Sequence, residues 1–179
     1  MRKHLIAGSM LLAMCPTAVL AQPPAPPQPG PEQKSLSNFA GTWKMEGQME
    51  ASPMGPAGTM TGTETCRMFE GGWHLVCESK GNGPFGAMTG HAVMTYDRNT
   101  KQYRYFAINN MPDAEIATGT KSGNAWTWTS KMDMGGKTMQ SRFVITEDSP
   151  TSHSYRWEVS DDGKAWKTVM TGKSTKTTT

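Results

Sequence analysis

Cys66 and Cys77 are the residues whose spacing most directly implies chemistry. They flank Gly71-Gly72 in the stretch Cys66-Arg67-Met68-Phe69-Glu70-Gly71-Gly72-Trp73-His74-Leu75-Val76-Cys77. A Gly-Gly pair supplies the positive φ angles of a tight hairpin turn. With 70 facing 73 across that turn, 66 faces 77, so the two side chains meet on adjacent antiparallel strands within disulfide reach. Closing so short a loop contributes about 2–3 kcal/mol. Buried free thiols are the plain alternative, and a metal site lacks further His or Cys ligands at suitable spacing.

Other groups could act in a site. Glu64 shares the parity of Cys66, and an inward carboxylate is costly unless paired or protonated. His153 shares a face with Tyr155 and Trp157, while His74 falls on the opposite parity to Cys66 and His91 goes with Val93. An inward His is either a hydrogen-bonded core residue or a ligand. Arg142 alternates with Phe143 and so belongs outside; a bulge would be needed to bring it in to meet a ligand carboxylate. Met132 and Met134, in a segment expected to be a loop, could offer thioethers to Cu(I). No nucleophile with a base, Gly-x-Ser-x-Gly elbow, His-Glu-x-x-His helix or phosphate loop is present, so no enzymatic activity is expected.

The elements that must position these groups follow from a period of two. Trp43, Met45, Gly47 and Met49 alternate with Lys44, Glu46, Gln48 and Glu50, which is the signature of a half-buried strand. Further strands are expected at 59–69, 73–79, 87–96, 102–108, 114–121, 125–131, 137–146, 153–160 and 165–171, separated by turn residues such as Asp97-Arg98-Asn99, Ser122-Gly123-Asn124 and Asp161-Asp162-Gly163. Short loops make neighbours antiparallel, and ten such strands must curl or close. Closure removes exposed edges, so the expected fold is all-β: a single antiparallel up-and-down barrel of about ten strands. Residues 22–179 hold only two Leu, three Ile and five Val, against 12 Met and six Trp. Such an interior is either a small core of adaptable thioethers and rings or the lining of a cavity.

At the N-terminus, Arg2, Lys3 and His4 precede an apolar run, and Val19-Leu20-Ala21 fits signal-peptidase cleavage. Residues 1–21 are therefore read as a signal peptide, with a lipidated Cys15 as a lesser alternative. Cleavage leaves two cysteines for an oxidising periplasmic or extracellular space. Losing Arg2 and Lys3 lowers the formal net charge from +3 to +1, which removes support for a nucleic-acid partner. No later apolar run is long enough to span a membrane as a helix. Residues 22–34 read as a Pro-rich disordered linker, 35–171 as the barrel and 172–179 as a polar tail.

Gly41-Thr42-Trp43 at the start of the first strand resembles the Gly-x-Trp opening of lipocalins and other calycins. With Phe69-Glu70-Gly71-Gly72-Trp73, Thr95-Tyr96-Asp97 before Tyr103-Arg104-Tyr105, Ser141-Arg142-Phe143 and Asp162-Gly163-Lys164-Ala165-Trp166, it resembles a family of secreted bacterial lipocalin-like barrels of uncharacterised function. The resemblance implies a calycin-like barrel and no established activity. The opening is also distantly similar to haem-binding nitrobindin barrels, which carry a late histidine, and His153 lies in that region. The expected function is a non-catalytic exported binding module for a small, largely apolar molecule, with no cofactor assigned. Its lining would be Trp43, Met45, Glu64, Met68, Trp126, Trp128, His153, Tyr155 and Trp157, with Glu64 and His153 as polar anchors. A structural or envelope-interaction barrel without a ligand is the alternative, and a Met-based copper or His-based haem binder a lesser one.

Overall fold

A computed structural model describes residues 25–52, 55–134 and 136–177. The signal peptide expected at 1–21 lies outside the described residues. A short helix, α1 (Pro31–Ser35), runs into a 3₁₀ turn at Leu36–Phe39. Ten strands follow: β1 (Gly41–Met49), β2 (Gly58–Met68), β3 (His74–Gly83), β4 (Gly86–Asp97), β5 (Gln102–Asn109), β6 (Glu115–Ser122), β7 (Ala125–Met134), β8 (Lys137–Ser149), β9 (Ser152–Ser160) and β10 (Lys167–Lys176). They form a closed barrel in which each strand pairs with its sequence neighbours and β1 pairs with β10. Every pairing is antiparallel.

The registers fix which side chains enter the barrel, because alternate residues face opposite sides of a strand. Trp43 stands opposite Glu64, Glu64 opposite Ser79, and Cys66 opposite Cys77. On the far side, Trp128 opposes Phe143, which opposes Trp157. Gly71 and Gly72 take φ of 83° and 73° in the β2–β3 turn, so the expected hairpin and its register are present. The disulfide Cys66–Cys77 is formed.

α1 and the 3₁₀ turn plug one end of the barrel. Leu36 is fully buried and Phe39 nearly so; burying a side chain of this size stabilises by about 1.5–3 kcal/mol. Three further ties hold the plug in place. The Trp43 indole N–H donates to the Phe39 carbonyl at 2.7 Å, the Ser35 hydroxyl meets the Tyr103 hydroxyl at 2.9 Å, and Asn38 donates to the Glu147 carboxylate at 3.1 Å. Around the plug lies the main core, with Leu75, Tyr103, Trp126 and the disulfide. A smaller cluster of Met134, Val159 and Val169 closes in toward the opposite end.

Two boundaries differ from expectation. The helix begins at Pro31, inside the segment read as linker, and its Gln33 is buried with its side chain accepting from the Gly30 N–H at 3.0 Å. β10 continues through the segment read as a polar tail, pairing Gly172, Ser174 and Lys176 with Gly47, Met45 and Trp43. A glycine and a serine suffice inside because large rings occupy the space opposite: a Cβ at Gly172 would collide with the Tyr155 ring.

Candidate ligand-binding cavity

Between the two packed regions lies a cavity of about 270 Å³. β1 contributes Trp43 and Met45, β2 Met60 and Glu64, β5 Tyr105, β7 Trp128, β8 Phe143 and Ile145, and β9 His153 and Tyr155. Small residues on neighbouring strands seat the rings. The Trp128 six-membered ring lies over Gly119, close enough that an added Cβ would sit 2.5 Å from it. Tyr155 lies against Gly47 and Gly172 and donates from its hydroxyl to the Glu46 carbonyl at 3.2 Å.

Six of the nine residues expected to line a site are here: Trp43, Met45, Glu64, Trp128, His153 and Tyr155. Met68, Trp126 and Trp157 face inward as their parity requires, but at other levels. Met68 packs beside Leu75 in the plugged end. Trp126 is completely buried there and stacks on Trp128 with centroids 6.1 Å apart. Its indole N–H donates to the Glu147 carboxylate. Trp157 donates to the Ser141 hydroxyl at 2.8 Å and packs on the Val159–Val169 cluster. Tyr105 and Glu115 are additions. β5 carries apolar residues on both faces, with Phe106 and Ile108 exposed outside, so its pattern alone does not say which parity enters the barrel.

The polar groups of the cavity divide into committed and uncommitted ones. Glu147, at the plugged end, accepts from Lys121 at 2.8 Å and from Trp126 and Asn38. Burial pushes its pKa up, but these hydrogen bonds and the Lys121 charge outweigh that and hold it below its ordinary value. Glu64 has no hydrogen bond or ion pair among the described residues, and burial pushes its pKa up to about 7. Desolvation is the whole cause, since a charged carboxylate loses its hydration there without gaining a partner. Tyr105 is likewise raised, by burial and then by the nearby Glu115 and Glu64 charges. Glu115 stands exposed at the end of the cavity away from the plug, its pKa raised by desolvation. The Trp128 indole N–H is buried without an acceptor among the described residues.

His153 is 4% exposed and held between two rings, stacked on Trp43 at 4.1 Å and edge-on to Phe39 at 5.3 Å. Burial lowers its pKa against the opposing pull of Glu147 and Asp148. The imidazole is therefore kept neutral. Glu64 has a carboxylate oxygen within 4.8 Å of both Cys66 and Cys77 sulfurs, but with the sulfurs bonded to each other the trio offers no thiolate to a metal. Met132 and Met134 lie in β7, not in a loop. Met134 is buried and Met132 packs on the same cluster, so the expectation of outward thioethers for copper is corrected: the strand extends further than its polar residues suggested. Arg142 is outside, bonded to Glu158 at 2.8 Å with its guanidinium 4.1 Å from the Trp166 ring centre, so it does not enter the cavity.

The model of the family described as "Protein of unknown function (DUF1579)" matches residues 28–176. The chain belongs to the DUF1579 family. No curated protein matches it in sequence. Among solved structures, this DUF1579 chain is similar to the S-type phycobiliprotein lyase CPES from Guillardia theta, with a TM-score of 0.57 and 9% identity over 83% of this chain and 93% of that one. It is similar to the same degree to Rv2717c from M. tuberculosis, with a TM-score of 0.57 and 13% identity over 83% of this chain and 99% of that one. At these identities the likeness concerns the barrel alone. No helix among the described residues is long and apolar enough to cross a membrane.

Proposed function

We propose that this DUF1579 protein is an exported, non-catalytic binding barrel for a small, largely apolar molecule. One observation carries the reading: the middle of the barrel holds a cavity of about 270 Å³ walled largely by aromatic rings and thioethers, between the plugged end and a far end where Met134, Val159 and Val169 pack on one side and Glu115 stands exposed on the other. A barrel evolved only as a scaffold would gain from filling that space, since unfilled apolar volume costs stability. The few polar groups left uncommitted inside, chiefly Glu64 and the Trp128 N–H, suit orientation of a bound molecule. A phycobiliprotein lyase shares the fold, which supports small-molecule handling as a use of such a barrel. Export is supported by the basic and then apolar residues 1–21 and by the disulfide.

Native mass spectrometry of the protein isolated from its own cell envelope tests the reading. The expected result is an added mass that is retained natively and lost on denaturation, on a chain beginning at Gln22. A native mass equal to the bare chain, together with no uptake of apolar probes, would overturn it in favour of a scaffold barrel.

A further inference from the structure

The geometry points to a ligand that carries a positive charge on a flat or aromatic body, a protonated amine or quaternary nitrogen seated against Glu64. This rests on the binding-barrel reading above and names its ligand class. The interior charges are unevenly committed. Besides His153, the inward positions of the described strands hold Glu64, Glu115 and Glu147 as acids and Lys121, Lys137, Lys167 and Lys176 as bases. Lys137 and Lys167 lie exposed at the strand ends away from the plug and do not line the cavity, and Lys137 is paired with Asp161 at 2.7 Å. Lys121 is engaged by Glu147 at 2.8 Å, and Lys176 lies over the Trp43 ring at 5.3 Å beside the plug. Lys80 touches the cavity, but its parity is outward and its side chain is exposed. Two carboxylates are left without a cation: Glu64 in the wall and Glu115 at the end away from the plug.

Each ligand charge meets that arrangement differently. An anion would enter a space whose uncommitted acid-base groups are both carboxyls, and would find no cation there to pair with. A neutral molecule would leave Glu64 desolvated and unpaired. A cation supplies the missing partner, and a charge-assisted hydrogen bond in such a site is among the stronger polar contacts. The faces of Trp43, Tyr105, Trp128 and Tyr155 add to this, because ring quadrupoles attract a cation lying over them. A second observation points to a ligand independently of the acids. Trp128 is 5% exposed, lines the cavity, and has no acceptor for its N–H among the described residues. A buried donor of this kind is costly until something accepts from it, and an acceptor atom on the ligand body would do so.

Three probes of one shape test the proposal: 1-pyrenemethylamine, 1-pyrenemethanol and 1-pyrenecarboxylate, followed by quenching of tryptophan emission. The amine should bind at least about tenfold more tightly than the alcohol, and the carboxylate most weakly. In Glu64→Gln the amine's advantage over the alcohol should shrink to about twofold or less. Equal binding of amine and alcohol to the wild-type protein, or preference for the carboxylate, would overturn the cation assignment and leave the binding-barrel reading standing. Binding of none of the three would overturn both. The wild-type comparison stands without the variant, so a poorly folded Glu64→Gln would not remove the test.

Discussion

Glu64 makes the stability of the empty protein depend on pH in a direction opposite to that of a salt-bridged carboxylate. Its pKa is raised from 4.5 to about 7 by burial. Below about pH 4.5 the group is protonated in both folded and unfolded chains and contributes nothing. Between about 4.5 and 7 the unfolded chain releases the proton while the folded chain keeps it, so stability falls as pH rises. Above about 7 both are ionised and the full penalty stands, about 3 kcal/mol for a shift of this size. Part of the Glu64 surface faces the cavity rather than packed atoms, and water admitted there offsets some of the penalty, so that figure is a ceiling. Glu64→Gln keeps the shape and removes the titration. The variant should match the wild-type protein at about pH 4.5 and exceed it above about pH 7.5, by up to about 3 kcal/mol in urea unfolding or about 6–12 °C in Tm. His153, held neutral by burial, contributes the opposite slope: its stability is present above its ordinary value of 6.5 and lost as pH falls below it. That contribution is common to both proteins and cancels in the difference. Parallel pH profiles for wild type and Glu64→Gln from about pH 4.5 to 8 would refute the reasoning.

Glu147→Gln should cost about 2 kcal/mol at neutral pH, because it leaves Lys121 and the Trp126 N–H facing a neutral amide; urea midpoints measure it. With its pKa lowered in the folded protein, the Glu147 contribution is present above the ordinary value of 4.5 and lost as pH falls through the folded value, so wild type and variant should converge in acid. Gly119→Ala drives a methyl into the Trp128 ring and should destabilise by about 1–3 kcal/mol, with a change in tryptophan emission reporting the displaced indole; an unshifted spectrum at full stability would contradict the seat. Replacing both Cys66 and Cys77 with Ala removes a cross-link between residues 11 apart and should lower stability by about 2–3 kcal/mol, while thiol titration of the unfolded, unreduced wild-type protein should find no reactive thiol at either position.

The period-two alternation carried the barrel, its strand number and the Cys66–Cys77 register, because a strand slipped by one residue would turn Trp43 and Met45 outward. Six lining residues followed from the same parity. What parity cannot tell is height along the barrel axis. Trp126, Trp128 and Trp157 all face inward, yet only Trp128 stands at the level of the cavity. Height depends on the stagger between strands and on how far the α1 plug enters, and both are tertiary. The last strand was expected at 165–171, and only its continuation to Lys176 was hidden, for another reason. Gly172 and Ser174 look like tail residues by composition, but their smallness answers Tyr155 and the neighbouring rings across the barrel. Tyr105 was missed where two-sided apolarity in β5 blurs the pattern, and Glu115, which opens β6, pairs with Ala107 of that same strand.

The seam between β1 and β10 also bears on how the chain becomes a barrel. Seven registered pairs, from Trp43 with Lys176 to Met49 with Met170, join strands that lie at opposite ends of the folded sequence. Every other pairing is between sequence neighbours and can form as a growing sheet. Until the last strand arrives, that sheet has two unpaired edges, each able to recruit another chain. Circularisation is thus the late, long-range step, and a high separation between contacting residues slows it. A truncation before Lys167 would remove β10 and leave the edges of β1 and β9 unpaired for good, open to pairing with another chain.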